Sequence, residues 1–142
     1  MNEQMTTGQF IEALWKQALH ANNVDSGFSL FSYGRTRGWL EEIDELEQDS
    51  SLERRSAARI IHQFLKLECG ERDEANWEAA KVLLDLYDCR VCVNHVAQVY
   101  VKGIMEPAME HIFGMRMGVD AAEAKDIIAR VFLPERRRRV IL

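Results

Sequence analysis

Apolar residues return along most of this chain every three or four positions, and that spacing commits it to packed helices. Phe10, Ile11, Leu14, Trp15, Ala18 and Leu19 fall on one helical face. Thr6 or Thr7 is the expected N-cap, and Ala21-Asn22-Asn23 the expected stop. Ala57, Ala58, Ile61, Phe64 and Leu65 line a second helix, opened after the cap signal Asp49-Ser50-Ser51 and stopped at Gly70. Arg54, Arg55, Arg59 and His62 lie largely off that face, either as a basic face for a carboxylate or phosphate or as a solvated face paired with Glu53 or the acids of 41–47. Trp77, Ala80, Leu83, Leu84 and Tyr87 predict a third helix capped by Asp73 or Asn76. Val93, Val96, Ala97, Tyr100, Val101 and Ile104 predict the next, with Gly103 near its end and Pro107 beyond. Asp120 caps the last, where Ala124, Ile127, Ile128, Val131 and Phe132 align before Pro134.

Two stretches are less regular. Asp25-Ser26-Gly27 reads as a turn, and Phe28, Leu30, Phe31 and Tyr33 as an irregular segment or short helix. Gly38-Trp39-Leu40 opens an amphipathic helix with Ile43 and Leu46 on one side and the acids of Glu41 to Glu47 on the other, solvated one. With 2 Pro and 8 Gly in 142 residues, there are too few turn formers for a β-sandwich. The expectation is one all-α domain over residues 1–142, without an internal linker.

Charge and chain ends narrow the function. The formal net charge of -5 opposes general nucleic-acid binding. Every apolar stretch is broken by charges, so no membrane span is expected. The polar segment from Met1 to Gly8 has no secretion signal, and three cysteines make a poor disulfide framework. Both point to a cytoplasmic setting with free thiols.

Three segments repeat a common opening: Met5-Thr6-Thr7-Gly8, Leu52-Glu53-Arg54-Arg55 and Val119-Asp120-Ala121-Ala122, each followed by an amphipathic helix. Gly38-Trp39-Leu40 and Gly103-Ile104-Met105 close the intervening helices. The arrangement resembles the S-layer homology module, with repeats at about 5–50 and 52–118, a partial third opening helix at 119–133, and a basic tail at 134–142. Leu86-Tyr87-Asp88 stands for the family's Phe-Ser-Asp element, and Val96 to Met105 for its Gly-Ile-ended helix. The resemblance implies a bundle of three opening helices with projecting second helices. It also implies a non-catalytic binding module for anionic cell-wall polysaccharide, located at the cell surface. Arg54 is the motif arginine, while Gly8 and Ala121 hold the other two positions. In that reading Arg54 anchors the anion, with Arg55 beside it on a basic face. Gly38 and Trp39 form a groove wall, Trp39 as an exposed platform, and Gly103 admits a close backbone approach. A scaffold that keeps the bundle but not the glycan groove becomes an intracellular oligomerising or adaptor protein, binding a protein partner or a second copy.

Other residues carry other chemistry. Cys89, Cys92 and His95, with Cys69, are the soft ligands a tetrahedral zinc would take, which makes a small zinc-stabilised protein a further alternative. The same Cys-x-x-Cys reads otherwise as buried structural thiols, or as a redox pair lacking its βαβ context. Without zinc, no cofactor is expected. Met105, Met109, Met115 and Met117 read as core under a loop or an adaptable surface. Arg136 to Arg139 read as a solvated tail, and Val140-Ile141-Leu142 as a partner tag or a segment folded back on the core. His20, His62, His95 and His111 look isolated, and no nucleophile, Walker or dinucleotide motif occurs, so no enzyme is expected.

Overall fold

A computed structural model describes residues 3–18 and 29–140. Among these, six α-helices form an all-α fold with no strand: α1 Thr7–Ala18, α2 Leu30–Arg37, α3 Glu42–Leu46, α4 Arg54–Leu67, α5 Val93–Val101 and α6 Ala121–Phe132. The striped segments became helices as their spacing requires. Phe10, Ile11 and Leu14 of α1, Ala57, Ala58 and Ile61 of α4, and Val96, Ala97 and Val99 of α5 are fully buried in one core. Asp120 caps α6 by accepting from the Glu123 N–H at 2.8 Å. Leu19 and the turns expected at 21–23 and 25–27 lie outside the described residues.

The entries to α1, α4 and α6 are tied together by backbone. Met5 N–H donates to the Val119 carbonyl at 2.9 Å, Val119 N–H to Leu52 at 2.9 Å, and Leu52 N–H to Met5 at 2.8 Å. The three bonds close a ring just before the starts of α1, α4 and α6. Leu52 and Val119 are fully buried, so the ring satisfies peptide groups that water does not reach.

Four expectations are corrected. The helix expected from Trp77 to Tyr87 is absent; short 3-10 turns stand there, at Glu78–Val82, Leu86–Asp88 and Arg90–Cys92. The buried residues are Ala80, Leu83 and Leu86, spaced by three as a 3-10 turn requires, while Leu84 and Tyr87 face outward. Long-range bonds fix this path. Leu84 N–H donates to the His111 carbonyl at 2.8 Å, and the Asp85 carboxylate accepts from Phe113 and Gly114 N–H. In α3 the apolar side does not face the core: Ile43 and Leu46 are exposed along with Glu41, Glu42, Glu45 and Glu47, and only Asp44 turns inward, against Arg59 Nη2 at 2.5 Å. Third, α5 does not project; it lies along α4. Finally, the arginine tail is not a solvated appendage. Arg138 N–H donates to Gly103 at 2.9 Å and Val140 N–H to Val101 at 3.1 Å, folding the tail onto the end of α5.

Candidate functional site

Arg54 starts α4 and is the centre of the expected site. Its side chain is 3% exposed. Nε donates to the Phe113 carbonyl at 2.8 Å, and the two Nη atoms donate to the Glu123 carboxylate and the Glu106 carbonyl. Cζ lies 4.8 Å from the centre of the Phe113 ring. Burial lowers the guanidinium to about 10, opposed by the charge of Asp85, so Arg54 stays cationic at neutral pH. The fork is filled from within the chain and presents no open face to an anion.

The other residues of the expected groove have separate partners. Arg55 is half-buried and pairs with Glu53 at 3.0 Å. Trp39 is not an exposed platform but wholly buried: it stacks on Trp15 at 6.2 Å and meets Phe64 edge-on at 4.9 Å. Gly38 is the left-handed C-cap of α2, at φ 91°, its N–H donating to Arg35 and Gly34. Gly103, at φ 76°, does admit a close backbone approach, and the visitor is this chain's own tail; a Cβ there would overlap the Arg138 backbone.

The zinc set does not assemble. Cys89 and Cys92 form a disulfide, Cys69 is free on the surface, and His95 is bonded to another histidine. Among the described residues no group of three or more His, Cys, Asp or Glu is arranged to hold a metal ion. The odd cysteine count is thus one disulfide and one thiol, not three free thiols. Partial burial of the Cys69 sulfur, with Glu68 and Glu71 nearby, pushes its thiol up to about 11.

Two polar clusters were not foreseen. His62, 2% exposed, places Nε2 at 2.6 Å from Asp73 Oδ1 and Nδ1 at 2.8 Å from His95 Nδ1. A carboxylate only accepts, so His62 donates from Nε2 to Asp73 and its Nδ1 accepts from His95 in the neutral pair. Burial lowers His95 to about 4, helped by His62, Arg59 and Lys66. Burial pushes the Asp73 carboxyl up, but hydrogen bonds from His62 and Asn94 outweigh it and hold it below the usual range. The second cluster joins α5, α6 and the tail: Glu71 accepts two bonds from Arg137, both at 2.9 Å, and one from Lys102 at 2.8 Å. Arg137 also donates to the carbonyls of Arg130 and Val131 at the end of α6. The basic residue before Gly103 and the basic tail were the available signals, but neither names its acid.

Open concavities lie elsewhere. A groove of about 380 Å³ runs between α1 and α6, walled by Met5, Ala13, Ala124, Ile128, Ala129 and Phe132, with Lys125 and Arg136 at its rim. A cleft of about 310 Å³ beside Arg54 carries Glu106, Glu123 and Asp126 against Arg130. The Met-rich segment divides between its two readings: Met105 and Met115 are core, Met109 and Met117 exposed. No described helix is long and apolar enough to cross a membrane. Comparison with protein-family models, with curated proteins and with solved structures finds no match.

Proposed function

We propose that this chain is a non-catalytic binding module on a scaffold like that of the S-layer homology module, and that its ligand is a polypeptide rather than an anionic glycan. The scaffold reading is supported by the backbone ring of Met5, Leu52 and Val119, one residue from each repeated opening. The choice of ligand rests on one observation, the apolar groove between α1 and α6. Concave apolar walls with a few polar groups at the edge are the usual form of a peptide-anchoring site. Lys125 and Arg136 at the rim favour an apolar side chain flanked by carboxylates. Glycan anchoring is weakened because Arg54 is already occupied and the cleft beside it is rich in carboxylates.

The test pairs two measurements. Wild-type protein is expected to show no retention on purified cell-wall polysaccharide. An acidic amphipathic peptide carrying leucines at helical spacing is expected to bind, and Ala129→Glu to weaken that binding by about tenfold or more with unchanged circular dichroism. Retention of the wild-type protein on the polysaccharide, or peptide binding indifferent to Ala129→Glu, overturns the proposal.

A further inference from the structure

We infer that the Cys89–Cys92 disulfide is a reactive one that exchanges with cysteine thiols of a polypeptide, on a face separate from the α1–α6 groove. The pair is only three residues apart in sequence. A cross-link stabilises a fold mainly by closing a loop, and the gain grows with loop length, so this bond has nearly the smallest structural role open to a disulfide. Its position suits chemistry better. Cys92 is the N-cap of α5, a nine-residue helix, and no side chain caps that end. The Cys92 and Val93 N–H groups are taken by the Cys89 and Arg90 carbonyls of the preceding 3-10 turn, so what a thiolate released on Cys92 meets is the positive end of the α5 dipole.

Exposure decides which sulfur is attacked. Cys89 is half-buried and Cys92 is 7% exposed, so an incoming thiolate reaches Cys89 first. The Cys69 thiol, held at about 11, is a poor internal competitor at neutral pH. The surroundings identify the donor. Leu84, Tyr87 and Val91, all within five residues of Cys89 in sequence, are 77%, 59% and 86% exposed, apolar surface that a polypeptide covers and a small hydrophilic thiol does not need.

The exchange balances in two steps. A partner thiolate attacks Cys89 Sγ; the new partner–Cys89 bond forms, the Cys89–Cys92 bond breaks, and its electron pair leaves on Cys92 Sγ. The partner's second thiolate then attacks the partner sulfur of the mixed disulfide, displacing Cys89 as thiolate. The partner dithiol is oxidised to its disulfide, the Cys89–Cys92 pair is reduced, and the two protons lost by the partner thiols pass to the two cysteines.

The experiment uses the full chain, oxidised and purified, with a reduced two-cysteine peptide bearing leucines, and with glutathione as the small-thiol comparison. One equivalent of peptide disulfide per chain is expected, formed about tenfold or more faster than with the isolated oxidised segment 85–95. Cys69→Ser is expected to leave this rate unchanged. With a one-cysteine peptide in place of the two-cysteine one, the mixed disulfide trapped by acid quench is expected on Cys89 rather than on Cys92. The double variant Leu84→Ser/Val91→Ser is expected to slow the peptide reaction and not the glutathione reaction. Exchange no faster than the isolated segment, cysteines that alkylate as free thiols after oxidation, or a peptide trapped on Cys92 overturns the inference. Equal slowing, or none, in the double variant overturns the assignment to a polypeptide.

Discussion

A guanidinium removed from water is stable only if its donors meet acceptors, and Arg54 meets Phe113, Glu123 and Glu106, which lie 59, 69 and 52 residues away in sequence. Removing the side chain leaves two carbonyls and a carboxylate to find new partners. Arg54→Ala is therefore expected to lower the unfolding free energy by about 3–5 kcal/mol, read from urea denaturation. Arg54→Lys is expected to recover only part of it, because a compact ammonium does not span three acceptors set out for a fork. A change under about 1 kcal/mol in Arg54→Ala would show a solvated arginine instead. The sequence singled out Arg54 correctly and misread its task, since a helical wheel places it off the apolar face and says nothing about acceptors so far along the chain. Trp39 failed for the same reason. Its neighbours Gly38 and Glu41 suggest a surface, while Trp15 and Phe64, which cover it, are remote.

Elements held by their own stripe were legible, and elements held by distant partners were not. α1, α4, α5 and α6 carry enough apolar residues at 3.6 spacing to be read directly. The 77–92 segment has apolar residues compatible with both 3.6 and 3.0 spacing, and the choice falls to Asp85 and Leu84, which bond to 111–114. α3 spans five residues, too short for periodicity to decide which face turns inward, and the Arg59–Asp44 pair decides it. The tail shows the same dependence. Its docking requires Gly103 twice, for the left-handed φ and for the missing Cβ. Gly103→Ala is expected to cost about 1–3 kcal/mol and to expose Arg137, Arg138 and Arg139 to trypsin. Arg137→Ala, which removes the two hydrogen bonds donated to Glu71 without altering the backbone, is expected to give the same cleavage at the remaining arginines. A tail cleaved as readily in the wild type as in both variants would refute its docking on α5.

At the scale of the whole molecule, the buried polar clusters join elements remote in sequence, and this links the fold to pH. His62 on α4, His95 on α5 and Asp73 in the segment between them share one chain of hydrogen bonds. His95 falls from its ordinary 6.5 to about 4 in the fold, so the unfolded chain takes up its proton first as pH drops. Its contribution is complete above 6.5 and is lost between 6.5 and about 4. Asp73 and Glu71 are also held below their ordinary values; burial pushes the Glu71 carboxyl up, but Arg137 and Lys102 outweigh it. Their contributions are present above the ordinary carboxylate values and fail as pH falls through the lower folded ones, so they act at the acid end of the His95 window and beyond. All three signs agree, and stability should decline toward acid in two stages, the first belonging to His95. Unfolding free energy measured by urea at pH 7.5, 6, 5 and 4.5 is expected to fall by about 2 kcal/mol in wild type. His95→Gln, which keeps a polar side chain at the site and cannot titrate, is expected to flatten that slope while leaving any steeper loss below pH 4 in place. An unchanged slope in His95→Gln would assign the first stage to other groups and sever the histidine pair from the stability of the fold.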